Sequence, residues 1–350
     1  RSIFILFIIM RYCLGLILVL FTSCHLSSTR GLEFPSVDTL KLSSELFLSE
    51  ELLKPEKMWI HDSLCLIRSS KDEYFFHLFN IAGTKICSFI GFGDAPAEML
   101  SPVDFDVVND TLQIYDSGKQ KISFYALSDL SYGNVENICR QLSINVMASS
   151  VICTTDHSFY YLGETNRMYG FINSKIDTSY IDFPEDYRML NSGLKHLLFQ
   201  GHLRCSPNFD RLVYAASRFG YLQVLSPQEN GSLSLVKDYF VQQPIFRDCS
   251  SQDMTAMSLS RENQSGFNDL SVTDELIFAL YSGRKANEER SYFANQVWVF
   301  DWDGNPVKKM ILPQDAWSIY VDQETNKLYT ISYGEEKGEY RVHYNIYDLL

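Results

Sequence analysis

The side chains best suited to bind a ligand are His202 and Arg204, which alternate within FQGHLRCS and would project from the same face of one strand. If that strand borders a central channel, the pair faces the axis. Arg247 and Asp248 would reach the same channel from a loop, completing a polar cluster suited to an anionic ligand. Other chemistry is poorly supported. Asp301-Trp302-Asp303-Gly304-Asn305 has the acidic spacing of a calcium loop, but its glycine is misplaced and Leu312 stands where the closing glutamate is needed, so it reads as a hairpin turn. Gly91 and Gly93 open like a dinucleotide fingerprint, but Pro96 replaces its third glycine. The sequence shows no GxSxG or HExxH motif and no nucleophile spaced from a base. Cys65, Cys87, Cys139, Cys153, Cys205 and Cys249 lack CxxC spacing and a nearby histidine, so no metal site is expected. Those in apolar runs, such as Cys65 and Cys153, read as small buried hydrophobes rather than disulfide partners. Neither a catalytic residue nor a cofactor is expected.

One further thiol has a different context. An apolar run spans residues 3–21, but Arg11 near its middle would cost roughly 2.5–3.5 kcal/mol in a spanning helix. Read from Met10, the same residues form a signal peptide, with Arg11 as its positive start and residues 12–21 as its apolar segment. The run ends in Phe21-Thr22-Ser23-Cys24, which resembles the lipobox of bacterial lipoproteins: two small residues admit the peptidase, and the Cys24 thiol carries the lipid. Residues 1–23 are thus expected to be a leader and residues 24–36 a polar linker. A domain would fill residues 37–350, held to a membrane through acyl chains on Cys24.

The elements that must position any site are strands. Aromatic and β-branched residues recur in short alternating runs, and 46% of the chain is hydrophobic. The net charge of −13 disfavours nucleic acid as a partner. The segments 74–91, 112–127 and 297–312 each read as two strands flanking a glycine turn, with less regular copies at 158–173, 222–240 and 344–349. Units of roughly 40–50 residues made of antiparallel strands indicate propeller blades, each of which hides its faces against neighbours. The reading is all-β: a six-bladed β-propeller of antiparallel four-stranded blades. The last unit supplies only three strands, so residues 37–48 are expected to provide the fourth and close the ring.

Several segments, in order, resemble the TolB-like six-bladed propeller lipoproteins of Bacteroidetes. They are GFGDAPAE at 91–98, with Ala95 and Ala97 where that family usually has glycine, the Ser-Pro turn within 199–215, IFALYSGR at 277–284, VWVFDWDGNPVKK at 297–309, and the ending at 327–333 with 344–349. The resemblance covers about residues 58–350. It implies a propeller and export, and it carries over no catalytic residue. By analogy it places the anchor in the outer membrane. His25-Leu26-Ser27-Ser28 lacks an acidic surface-export run, which favours the periplasmic face. The functional expectation is a binding or scaffolding lipoprotein of the cell envelope that holds a protein or small polymer. The alternative is an envelope hydrolase or lyase with a metal in the axial channel.

Overall fold

Strands in the middle of each repeat are apolar on both faces. Phe159–Gly163 and Leu212–Ala216 are buried at every position. Such a sheet needs a cover on each side, and stacking against a copy of itself supplies it. The computed structural model describes residues 32–154, 158–336 and 339–349; the expected leader and Cys24 lie outside the described residues. Four separate four-stranded antiparallel sheets form blades one to four, spanning 55–91, 102–143, 148–180 and 201–240. Blades five and six share one larger sheet because the strand Pro306–Asp322 runs through both. Its first part pairs with Ala294–Asp301 as the outer strand of blade five. Its second part pairs with Lys327–Glu336 as the inner strand of blade six.

The ring closes through the amino-terminal run. Leu42–Glu45 pairs antiparallel with Glu339–Asp348 and becomes the outermost strand of blade six. Just before it, Val37–Thr39 pairs parallel with Lys309, Met310 and Ile311 on the rim of blade five. The chain then crosses to blade one. Leu46 donates its amide to Tyr344 O at 2.8 Å and is buried among Ile60, Ile67 and Phe79, so it pins the seam between the last blade and the first.

Apolar clusters fill the interfaces between blades. Trp59, Phe76, Phe89, Phe105 and Tyr125 pack between blades one and two, and Tyr160, Tyr169, Phe199, Tyr214 and Phe219 pack around blades three and four. At the interface of blades four and five, the Tyr239 hydroxyl donates to Gly304 O at 2.8 Å and its ring lies 5.5 Å from Phe300. Gly304 has φ +78° and lies against Lys237, so the turn needs glycine both for conformation and for space. The neighbouring Asp301 carboxylate accepts the amides of Asp303 and Asn305, as the hairpin-turn reading requires. The turn at Gly118 differs from the sequence expectation: the positive φ falls on Gln120, while Asp116 accepts the amides of Leu100, Ser101 and Gly118. Among the described residues two short α-helices, Leu127–Ser131 and Ser192–Leu198, lie between strands. The Leu46→Ala variant is expected to lose about 2–4 kcal/mol in urea unfolding, because it leaves a cavity at the closing seam. A loss below about 0.5 kcal/mol would show that this seam does not hold the ring.

Candidate functional site

The inner strands carry a shared irregularity that sets the chemistry of the axis. In five blades the register slips by one residue near the start of the inner strand. The slip lies between Pro55 and Lys57, Pro102 and Asp104, Ala148 and Ser150, Phe267 and Asp269, and Ala316 and Ser318. A bulge re-aims the side chain that follows it. Here it brings Lys57, Asp104, Ser150, Asp269 and Ser318 to corresponding places around the ring. In blade four the register is unbroken, and His202 stands at that place.

Two blade pairs use the same clasp. Asp104 of blade two accepts from Ser150 Oγ at 2.6 Å and from the Val151 amide at 3.3 Å in blade three. Asp269 of blade five accepts from Ser318 Oγ at 2.6 Å and from the Ile319 amide at 3.2 Å in blade six. Only Asp104 adds cations. Lys57 Nζ of blade one lies 3.2 Å from its Oδ1, and Arg204 of blade four reaches both carboxylate oxygens, at 3.1 and 3.4 Å. Asp104 and Arg204 are each 6% exposed. Water screens this triad little, and loss of one member would leave a buried charge unpaired. Lys57 is further fixed by Phe105 O at 3.1 Å and lies over the Phe105 ring.

Beyond this ring the inner strands diverge into a funnel of about 360 Å³, lined by blades one, two, four, five and six. Trp59 and Tyr320 form an aromatic wall with ring centroids 6.4 Å apart. Asp106, Asp322 and Glu324 also line it. Burial raises the Tyr320 hydroxyl above its ordinary range, and the negative charges of Asp106, Asp322 and Glu324 add to the shift. Asp106 accepts its neighbour Val107's amide at 2.8 Å, and no cation lies within ion-pair distance of it among the described residues. Burial pushes its carboxyl up to about 6, against the opposing pull of Lys57 and the Val107 amide.

The residues singled out in the sequence divide. His202 and Arg204 lie on the inner strand of blade four, Gly201–Cys205. Burial lowers the His202 imidazole, which feels Asp269, Lys57 and Asp104 and bonds to the Phe267 backbone, as its place on the axis requires. Arg204 already has its anion, Asp104, so it is not a vacant receptor for an anionic ligand. Arg247 and Asp248 are a correction. They are exposed on a two-stranded hairpin, Phe246–Asp248 with Met257–Leu259, inserted between blades four and five. The hairpin's Phe246 and Met257 pack on the outer aromatic cluster, which draws it away from the axis. Asp248 accepts the Ser250 amide at 2.8 Å within its own turn. Cys65 and Cys205 are buried thiols, with Cys65 raised to about 12 by burial. The sequence reading missed Lys57, Asp104, Asp106, Trp59 and Tyr320. The available signal was the repeat of aspartate in one inner strand and serine in the next, in blades two and three and again in blades five and six.

A family model for TolB-like 6-blade propeller-like proteins matches residues 33–324. The chain belongs to this TolB-like family. A Bacteroides fragilis NCTC 9343 protein named as exported is 10% identical, with a TM-score of 0.52, over 90% of this chain and 99% of its own. The WD40 repeats of RRP9 are 11% identical, with a TM-score of 0.50, over 89% of this chain and 99% of theirs. At such identities the likeness is one of fold. No curated protein matches the sequence.

Asp106 gives the TolB-like domain a distinct dependence on pH. Its folded pKa lies above its unfolded value, so the folded state holds the extra proton and stability falls as pH rises from about 4 to about 6. The charged groups acting on Asp106 are Lys57 and Asp104, and the nearby Cys205 and Tyr320 feel its charge in turn. Asp106→Asn is therefore expected to stabilise the domain by on the order of 1–3 kcal/mol at pH 7.5 and by almost nothing at pH 4, read as unfolding midpoints. Equal effects at the two pH values would contradict a buried, ionised Asp106.

Proposed function

We propose that this protein is an exported, membrane-tethered binding protein of the cell envelope whose axial funnel holds a small ligand or an extended polymer segment. The funnel carries the reading. Five blades converge on one concave, partly aromatic site of about 360 Å³, a size and lining typical of ligand pockets. Export is supported by the apolar leader pattern and by the exported Bacteroides fragilis protein that shares the fold. Anchoring rests on Cys24, which favours an outer-membrane lipoprotein facing the periplasm.

A second reading, an envelope hydrolase or lyase with a bound metal, is favoured by one observation. His61, Asp62 and Glu324 place potential donor atoms within 4.8 Å of one another. They sit on the turns of blades one and six at the funnel mouth. On the axis, by contrast, Asp104 and Asp269 are engaged by blade-to-blade hydrogen bonds. Asp62 and Glu324 are exposed, so the trio would hold a metal only loosely before a substrate added ligands.

Native mass spectrometry of the full chain isolated from envelopes is expected to show lipid mass that Cys24→Ala removes, together with a retained ligand that Val108→Trp, which fills the funnel, excludes. Absence of lipid would refute the anchor, and a ligand indifferent to the filled funnel would refute the site. Metal-dependent turnover of the retained ligand would instead establish the enzyme.

A further inference from the structure

The cations and anions of the funnel are unequally occupied. Lys57 and Arg204 supply positive charge there, and both are bonded to Asp104, which lies behind the funnel wall. Among the described residues Asp106 and Glu324 have no such partner, while Asp322 accepts the neutral Glu324 amide and Thr325 hydroxyl. The surplus charge is therefore negative, opposite to what His202 and Arg204 suggest in the sequence. Asp106 adds a separate observation. It is a half-buried carboxylate lining the cavity, with no cation at ion-pair distance among the described residues and with only the longer-range attraction of Lys57 to offset its charge, an arrangement that costs stability unless a ligand supplies more. Trp59 and Tyr320 line the same cavity, and the faces of such rings attract cations, most strongly where water is excluded.

We propose that the funnel recognises a small organic ammonium ion, held against the Trp59 and Tyr320 rings with Asp106 as its buried counter-ion and Glu324 at the mouth. This deepens, and rests on, the reading of the funnel as a ligand site. An ammonium fits better than an inorganic cation because the Trp59 and Tyr320 rings line the cavity together with its carboxylates. Those rings solvate an alkylammonium but give a hard metal no ligand atoms, so a metal would draw on the carboxylates alone. The volume suits a molecule of metabolite size rather than a folded protein.

The test uses the intact domain and a charge series of constant shape: tyramine as cation, tyrosol as neutral and 4-hydroxyphenylacetate as anion, with putrescine and choline as further cations, in isothermal titration calorimetry at pH 7.5. At least one amine is expected to bind tenfold or more tightly than the neutral and anionic compounds, on the order of 1.4 kcal/mol or more. Asp106→Asn should weaken that amine by about tenfold and Glu324→Gln by about two- to fivefold, while Glu262→Gln on the outer surface leaves it unchanged. Glu324→Gln and the charge series test the site independently of Asp106→Asn. Absence of amine binding at millimolar concentration, equal binding of tyrosol, or binding of Zn²⁺ or Ca²⁺ alone through His61, Asp62 and Glu324 overturns the proposal. Selective binding of 4-hydroxyphenylacetate that Val108→Trp abolishes would overturn the ammonium assignment while leaving the funnel a ligand site.

Discussion

The carboxylate of Asp104 is the contact on which the centre of this propeller depends. From blade two it reaches Lys57 in blade one, Ser150 and Val151 in blade three and Arg204 in blade four. Blades otherwise adhere through apolar packing, which is strong but has no direction of its own. A buried charge held by donors from three other blades is different, because it is tolerated only when those donors are in place. Asp104 thereby fixes how the inner strands of four blades sit around the axis. The related clasp of Asp269 and Ser318 does the same for blades five and six with neutral donors alone.

That asymmetry shapes the funnel. The positive groups are drawn inward to Asp104, which leaves carboxylates and aromatic rings to face the opening. The pocket's character thus follows from a structural need elsewhere: Asp104 is neutralised by the available cations, which are thereby withdrawn from the opening. Asp106, two residues further along the same strand, has no ion-pair partner among the described residues and feels Lys57 only at longer range. A group that weakens the fold at neutral pH yet points into a cavity is more readily understood as serving a ligand than as serving the fold.

Much of the architecture was legible in the sequence, because hairpin turns and alternating strands are local signals. The closing role of residues 37–48 followed from counting strands in the last repeat, and Leu42–Glu45 fills the vacant edge. The inner position of the strand bearing His202 and Arg204 was likewise within reach of pattern. Their partners were not. Asp104 and Arg204 are 100 residues apart, and only ring closure brings them together, so a lone arginine on a strand looked like an anion receptor. Arg247 and Asp248 misled for the opposite reason: their segment is polar like a channel loop, but Phe246 and Met257 anchor it to the outer aromatic cluster. The bulges that align the axial residues leave no mark in composition and emerge only from strand register.

The most direct test of the central role of Asp104 is a double-mutant cycle with Arg204, using Asp104→Asn, Arg204→Met and the pair, read as unfolding free energies in urea at pH 7.5. Asp104→Asn leaves Arg204 without its anion and Arg204→Met leaves Asp104 with Lys57 as its remaining cation, whereas the double variant removes both members of the pair. A coupling of roughly 2–4 kcal/mol, with the double variant more stable than the sum of the single losses implies, is expected. A coupling below about 0.5 kcal/mol would mean that the two residues act independently and that the blades are held in register by apolar packing alone.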